Sequence, residues 1–306
     1  MDIPYISAEE LREAVPMQAA IATLEEAFRR DDVEAPQRAR YETASGDLLV
    51  MPAWNAEAVG VKLVTVNPDN PARSLPLIHG MYVLFDGATT APLALIDAEE
   101  LTRLRTGAVS ALATGYLASP SARRLVVFGS GTQASGHIEA MCAIRPIEEI
   151  TVVSRRQERA EALAQEVAAH FQVGARSGGA EAVGQADIVC TCTTSTTPVF
   201  DGALLPDAVH INAIGSYRPE ARELDDDTMR RATSVVVESR AAALREAGDI
   251  VIARDNGALE SGKILELHDV VVKGSALVER SGVTVFKSVG SGLEDLSVAA
   301  LAARIR

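Results

Sequence analysis

Apolar positions recur along this chain with three different periods, and each stretch predicts a different kind of structure. Near the start, Ser7-Ala8-Glu9-Glu10 has the form of a capping box. Pro16 then suits the first turn of a second helix. In that helix Ile21, Leu24 and Phe28 share a helical spacing, with Glu25, Glu26, Arg29 and Arg30 elsewhere around it. From about 37 to 94 the texture becomes short β-type runs at 48–51, 59–66 and 81–85. Turn formers separate them: Ser45-Gly46-Asp47, the Asn-Pro-Asp-Asn-Pro run ending at Pro71, and Asp86-Gly87. A mostly antiparallel sheet is expected there. Residues 99–117 predict one long helix, because Leu101, Leu104, Ala108, Leu112 and Gly115 fall on one stripe. After Ser119-Pro120, bare apolar runs at 125–128, 150–153, 187–192, 209–214 and 235–238 alternate with helical stretches at 132–143 and through Ala162, Leu163 and Val167. Apolar strands with helical crossovers predict a doubly wound parallel sheet covered on both faces. Residues 294–306 close the chain as an Ala/Leu-rich helix.

The length of 306 residues suits two domains, or one domain with a large insertion. Only 4% of residues are aromatic, so Ala, Val and Leu must supply most of the packing. The formal net charge of -13 excludes a nucleic-acid partner and an anionic membrane surface, both of which need clustered cations. It leaves an anionic cofactor open, since a few local cations and backbone amides suffice. The three cysteines, Cys142, Cys190 and Cys192, show no metal-ligand spacing, and no metal is expected. Cys190 and Cys192 read as small side chains buried on one side of a strand. The opening MDIPYISAEE has no basic stretch followed by an apolar one, and no apolar run reaches about 18 residues. A soluble, cytoplasmic chain with no membrane partner is the expectation.

The sharpest local motif follows the run at 125–128. Gly129-Ser130-Gly131-Thr132-Gln133-Ala134 is a GxGxxA form of the dinucleotide fingerprint, placed between a strand and a helix with another strand about twenty residues on. Gly129 permits the tight turn, Gly131 lets the backbone approach a pyrophosphate, and Ala134 keeps helix and strand close. The helix N-terminus offers free amides to the phosphates. The parallel sheet is therefore of Rossmann type. The second strand ends Ser154-Arg155-Arg156, with no acid to accept from ribose hydroxyls, so NADP is favoured over NAD. Thr193 and Ala213 fall at the carboxyl ends of later strands, where cofactors bind in such sheets.

Dispersed motifs extend the pattern across the chain: Met51-Pro52-Ala53, Val61-Lys62-Leu63-Val64, Arg105-Thr106-Gly107-Ala108, Ile211-Asn212-Ala213-Ile214-Gly215 and Gly290-Ser291-Gly292. With the GxGxxA turn, and in this order, they resemble the ornithine cyclodeaminase/mu-crystallin family. The resemblance implies a homodimer of two-domain subunits. A substrate-binding and dimerisation domain over 1–118, α+β with a mostly antiparallel sheet, would be completed by a C-terminal helix at 293–306. A Rossmann domain would occupy 119–292. It further implies that Lys62 is the active-site lysine and that Arg40 and Arg105 hold a substrate carboxylate, with Arg38 a near competitor of Arg40. Thr106 would face the cofactor phosphates, and Ser291 and Gly292 would close over the nicotinamide. The chemistry is coherent without the family. A guanidinium holds a carboxylate in bidentate fashion, and Lys62, between Val61 and Leu63, is a cation in an apolar strand that must be paired or functional.

One position departs from the family's cyclodeaminases. They carry an aspartate in the loop after Ile-Gly, where this chain has Tyr217 in Gly215-Ser216-Tyr217-Arg218-Pro219-Glu220. The Arg-Pro-Glu segment is more similar to the mu-crystallin/ketimine reductase branch. The expectation is a reductase or dehydrogenase that moves hydride between NAD(P)H and the α-carbon of a small imino or amino acid. Two other readings stay open: a cyclodeaminase that recycles NAD, and a crystallin-like binding protein without turnover. His79 and Tyr217 are candidate pocket residues, His79 equally a structural one.

Overall fold

A computed structural model describes the chain from Asp2 to Ile305, and the chain divides into two compact units. The first comprises residues 1–105 with 290–306 and the second comprises 106–289. The division falls inside the long helix, after Arg105, rather than at its end near 118.

The first unit begins with β1 (Tyr5–Ile6), α1 (Ala8–Ala14) and α2 (Met17–Arg30). The capping box forms as the sequence requires: Ser7 Oγ accepts from the Glu10 amide at 3.3 Å, and Glu10 Oε2 accepts from the Ser7 amide at 2.9 Å. Pro16 occupies the N-cap of α2, one position earlier than the first turn. The strands β2 (Ala39–Thr43), β3 (Gly46–Trp54), β4 (Ala58–Val66), β5 (Ile78–Asp86) and β6 (Pro92–Asp97) follow, then α3 (Ala98–Leu117), whose first turns belong to this unit. The sheet order is β1-β6-β5-β4-β3-β2, antiparallel except for the β1–β6 pair.

Alternation assigns the two faces of this sheet. Met51, Lys62, Tyr82 and Ile96 stand in one cross-strand row, and Ala53, Gly60, Leu84 and Ala94 in the next. All eight residues are buried, and α2 and the C-terminal helix (Gly292–Ile305) pack in the layer that covers β3 to β6. The opposite face carries Val50, Leu63 and Met81 in one row and Pro52, Val61, Val83 and Leu95 in another, with Trp54, Val59 and Phe85 beyond. Leu63, Met81 and Trp54 are each 37% exposed. A sheet solvated on one face ordinarily alternates to polar residues there. Here the part of that face from Leu63 to Trp54 is largely apolar as well, with Thr65, His79 and Asp97 as polar positions at its border.

The second unit holds the parallel sheet, built from β7 (Arg124–Phe128), β8 (Glu149–Val153), β9 (Gly174–Ser177), β10 (Ile188–Thr191), β11 (Val209–Ala213), β12 (Ala232–Val237), β13 (Ile264–Glu266) and β14 (Val283–Lys287). Its order is β13-β12-β14-β11-β10-β7-β8-β9, and every neighbouring pair is parallel. The central strands are buried and mostly apolar on both faces, as cover by two helical layers demands, while edge strand β9 (Gly174-Ala175-Arg176-Ser177) is not. The main crossover helices are α4 (Thr132–Ile144), α5 (Gln157–Phe171), α6 (Asp226–Arg231), α7 (Arg240–Glu246), α8 (Gly248–Asp255) and α9 (Leu267–Lys273); the C-terminal helix is α10. The chain leaves β7 toward β8 and leaves β10 toward β11, on opposite sides. The carboxyl ends of β7 and β10 therefore form the crevice at a topological switch point, where such sheets bind ligands. Among the described residues no helix is long and apolar enough to cross a membrane.

Candidate active site

Lys62 lies in the middle of β4 on the covered face and is 2% exposed. Burying an ammonium is costly unless it is paired, and its pairing comes from two helices. Lys62 Nζ lies 2.8 Å from Asp295 Oδ1, in the first turn of α10, and donates to Thr102 Oγ1 of α3 at 3.2 Å. Arg105, on the same helix as Thr102, is 5% exposed. Its Nη1 reaches Glu294 Oε2 at 2.6 Å, and its Nε lies 3.0 Å from the same Asp295 Oδ1. Glu294 and Asp295 are fully buried. Burial pulls the Lys62 pKa down from 10.5 to about 8, with Asp295 opposing the fall and Arg105 and Arg38 adding to it. An amine near 8 exchanges protons at physiological pH, which an ordinary lysine does not.

Of the two candidate arginines, Arg38 just before β2 and Arg40 within it, the structure brings Arg38 to this cluster and not Arg40. Arg38 Nη2 donates to Gly290 O at 3.0 Å, and its charge acts on Lys62. Arg40 pairs with Asp47 at 2.9 Å with its side chain 58% exposed. It lies two residues further toward the sheet edge, where β2 pairs only with β3. Gly290 has φ +83°, and a Cβ there would come within 2.8 Å of Arg105 Nη1, so glycine lets the guanidinium lie against the backbone. Ser291 and Gly292 belong to this same unit, and a Cβ on Gly292 would crowd Pro52 O at 2.8 Å. His79 pairs with Thr65 on the uncovered face of the sheet, opposite to Lys62.

In the second unit the GxGxxA turn has the geometry a dinucleotide needs. Gly129 has φ +113°, its amide donates to Val153 O at 2.8 Å, and a Cβ would meet Cys192 O at 2.5 Å. A Cβ on Gly131 would meet nothing within 4 Å. No side chain caps the N-terminus of α4, and Gln133 Oε1 is buried in its first turn without a hydrogen-bond partner. Thr132 opens that helix and Ala134 is fully buried behind it. Ser130 Oγ and Ser154 Oγ lie 3.1 Å apart, which joins the turn to the end of β8, and Arg155 and Arg156 stand exposed just beyond. An orphaned acceptor, free amides and open space beside Gly131 fit a nicotinamide dinucleotide. Thr106 is buried at the point where α3 enters this unit.

The loops at the carboxyl ends of β10 and β11 hang from one residue that the motifs did not single out. Glu223 is fully buried, and its carboxylate accepts from Thr191 Oγ1 at 2.8 Å, Thr193 N at 2.8 Å, Thr193 Oγ1 at 2.7 Å and Gly215 N at 2.7 Å. Asp249 Oδ1 in turn accepts the amides of Glu223 and Leu224, while its other oxygen lies 2.9 Å from the buried Lys287. Lys287 also donates to Ser216 O at 2.6 Å. These bonds fix Thr193 and the Gly215–Ser216 turn beside Ala213. Tyr217 is half-buried there, with the Arg218 guanidinium 5.8 Å from its ring centre. Asp249 and Lys287 each adjoin an apolar run, and that was the available signal for them, whereas Glu223 lies in a charged stretch that offers none.

Comparison with known proteins identifies the family. The model of the ornithine cyclodeaminase/mu-crystallin family matches residues 5–303. A Delta(1)-pyrroline-2-carboxylate reductase of Bacillus cereus is 38% identical over 305 residues, covering 96% of this chain and 94% of the relative. The ketimine reductase mu-crystallin of Mus musculus is 35% identical, covering 97% and 95%. The structure of Thermococcus litoralis Delta(1)-pyrroline-2-carboxylate reductase, in complex with NADH and L-proline, superposes with a TM-score of 0.93 at 32% identity, covering 99% of this chain and 97% of that one. The chain belongs to the ornithine cyclodeaminase/mu-crystallin family.

Proposed function

We propose that this protein is an NAD(P)H-dependent imine reductase acting on small cyclic α-imino monocarboxylates, with Δ1-pyrroline-2-carboxylate as the first candidate substrate. The observation that carries the reading is a buried lysine with a pKa drawn to about 8, flanked by Arg38 and Arg105. The relatives named above act on the same bond. Arg38 and Arg105 hold the substrate carboxylate, and Lys62 delivers a proton to the imine nitrogen. Gly129 to Ala134, with Ser154 and Thr193, would hold NAD(P)H, which when bound would supply hydride for the imine carbon. The C=N bond becomes C–H and N–H, and Lys62 recovers its proton from water. Tyr217 stands where cyclodeaminases of the family carry an aspartate and brings no carboxylate to that place.

The test is NADPH consumption with synthetic Δ1-pyrroline-2-carboxylate, where one proline per NADPH is expected. L-ornithine with NAD should release no ammonia above background. Ammonia and proline from ornithine, with no imine reduction, would put the cyclodeaminase reading in its place.

The cofactor preference follows from the end of β8. Arg155 and Arg156 are exposed, with no carboxylate between them and Ser154, so a 2′-phosphate meets cations and a hydroxyl. NADPH should bind more tightly than NADH in a fluorescence titration, and Arg155→Asp should reverse the order. A tenfold preference of the parent protein for NADH would refute it.

We also infer that a second copy covers the uncovered face of the antiparallel sheet, because apolar surface of that extent is an association site. Sedimentation at twice the chain mass is the expected result, with Leu63→Glu shifting it to the monomer.

A further inference from the structure

We propose that Asp295 is the positioning residue of the reaction: its Oδ1 aims the Lys62 ammonium and holds its proton, which makes the C-terminal helix part of the active site. The inference rests on the reading of Lys62 as proton donor. Glu294 and Asp295 open α10, and acids in a first helical turn are usually explained by the helix dipole. Burial argues against that explanation here. Both side chains are fully buried, and each reaches a cation. Glu294 takes Arg105 Nη1, while Asp295 Oδ1 is shared between Lys62 Nζ at 2.8 Å and Arg105 Nε at 3.0 Å.

The sharing has a chemical consequence. An ammonium has three N–H directions. Asp295 and Thr102 take two of them and leave the third for the substrate nitrogen. The groups facing Lys62 are Asp295 from α10, Arg105 and Thr102 from α3, Arg38 from the segment before β2, and Tyr82 from β5. The two arginines disfavour the ammonium and Asp295 favours it. Tyr82 shares a cross-strand row with Lys62, and its hydroxyl, buried against Gly60, finds no hydrogen-bond partner. Burial and the charge of Asp295 hold its pKa well above 10, so it stays a neutral phenol where Lys62 titrates. Asp295 is thus the carboxylate in direct contact that keeps Lys62 charged.

Asp295→Asn keeps the shape and removes the charge. In the parent, the ammonium form is the donor, so imine reduction should fall as pH rises through about 8. In the variant the falling limb should move down by about one pH unit or more, deepening the loss with pH, while NADPH affinity stays within about twofold. A readout without turnover accompanies it: acylation of Lys62 by acetic anhydride, followed by mass spectrometry, should begin at correspondingly lower pH. A loss of turnover that is constant across pH, with the acylation profile unmoved, would overturn the proposal. Should Asp295→Asn fail to fold, Asp295→Glu decides, because it keeps the charge but displaces it. The limb should then stay in place while kcat falls; a displaced limb or an unchanged kcat would overturn the proposal. Acylation reports the Asp295–Lys62 coupling even if Lys62 proves not to be the donor, so the two ideas fail separately.

Discussion

Lys62→Met should lower turnover on Δ1-pyrroline-2-carboxylate by about 10²-fold or more, the usual scale for a positioned proton donor, and leave NADPH affinity within about twofold. Methionine has an unbranched chain that fits the space under α10, so the substitution removes a charge and a proton more than it removes packing. Asp295 keeps Arg105 Nε at 3.0 Å and is not left without a cation. Some stability is still lost, since breaking a buried ion pair costs about 3–5 kcal/mol when nothing replaces the partner. A thermal melt therefore accompanies the kinetics, and a fall in cofactor affinity alongside kcat would mark damage to the fold. The residual rate should lose the falling limb near pH 8 that the parent owes to Lys62. Full turnover in a variant that binds NADPH normally would make Lys62 a structural strand residue and remove the mechanism.

The parts of the site set by short-range rules were legible in the sequence. The GxGxxA turn announces itself because φ +113° at Gly129 and the close approach of Cys192 O admit no other residue. Lys62 stands out because a charge between Val61 and Leu63 in an alternating strand has to be explained. Long-range features were harder. Strand β14 lies between β11 and β12 in the middle of the parallel sheet, yet no helix of ordinary length precedes Val283 to set the βα rhythm. Asp295 is 233 residues from Lys62, and in sequence it is only an acid at a helix start. Glu223 likewise reads as a loop residue until the fold delivers the Thr191 hydroxyl at the end of β10, the Thr193 amide and hydroxyl just after it, and the Gly215 amide after β11 to its carboxylate. Arg40 and Arg38 share an alternation, so their spacing carries no information about which one meets Lys62. The outcome turned on where β2 begins and on the φ of Gly290, neither of which the sequence spacing expresses.

That pair provides the second large effect. Arg38→Met should reduce kcat/KM for the imino acid by about 10- to 100-fold, and Arg40→Met should change it by less than about twofold. A hydrogen-bonded charge pair is worth about 1.5–3 kcal/mol, which is the stated range for losing one guanidinium–carboxylate contact. The carboxylate is present in both ground and transition states, so most of the loss should fall on KM rather than kcat. Arg38 already donates to Gly290 O and acts on Lys62 from outside the sheet, so its removal also relieves some of the repulsion that lowers the Lys62 pKa. The falling limb of the Arg38→Met profile should accordingly move upward, opposite in direction to the shift expected for Asp295→Asn. Arg40 contributes an exposed pair with Asp47, and such pairs are worth about 0–1 kcal/mol. If Arg40→Met carried the loss and Arg38→Met did not, the carboxylate would have to bind at the outer edge of β2, away from Lys62, and the arrangement of the site would need to be redrawn.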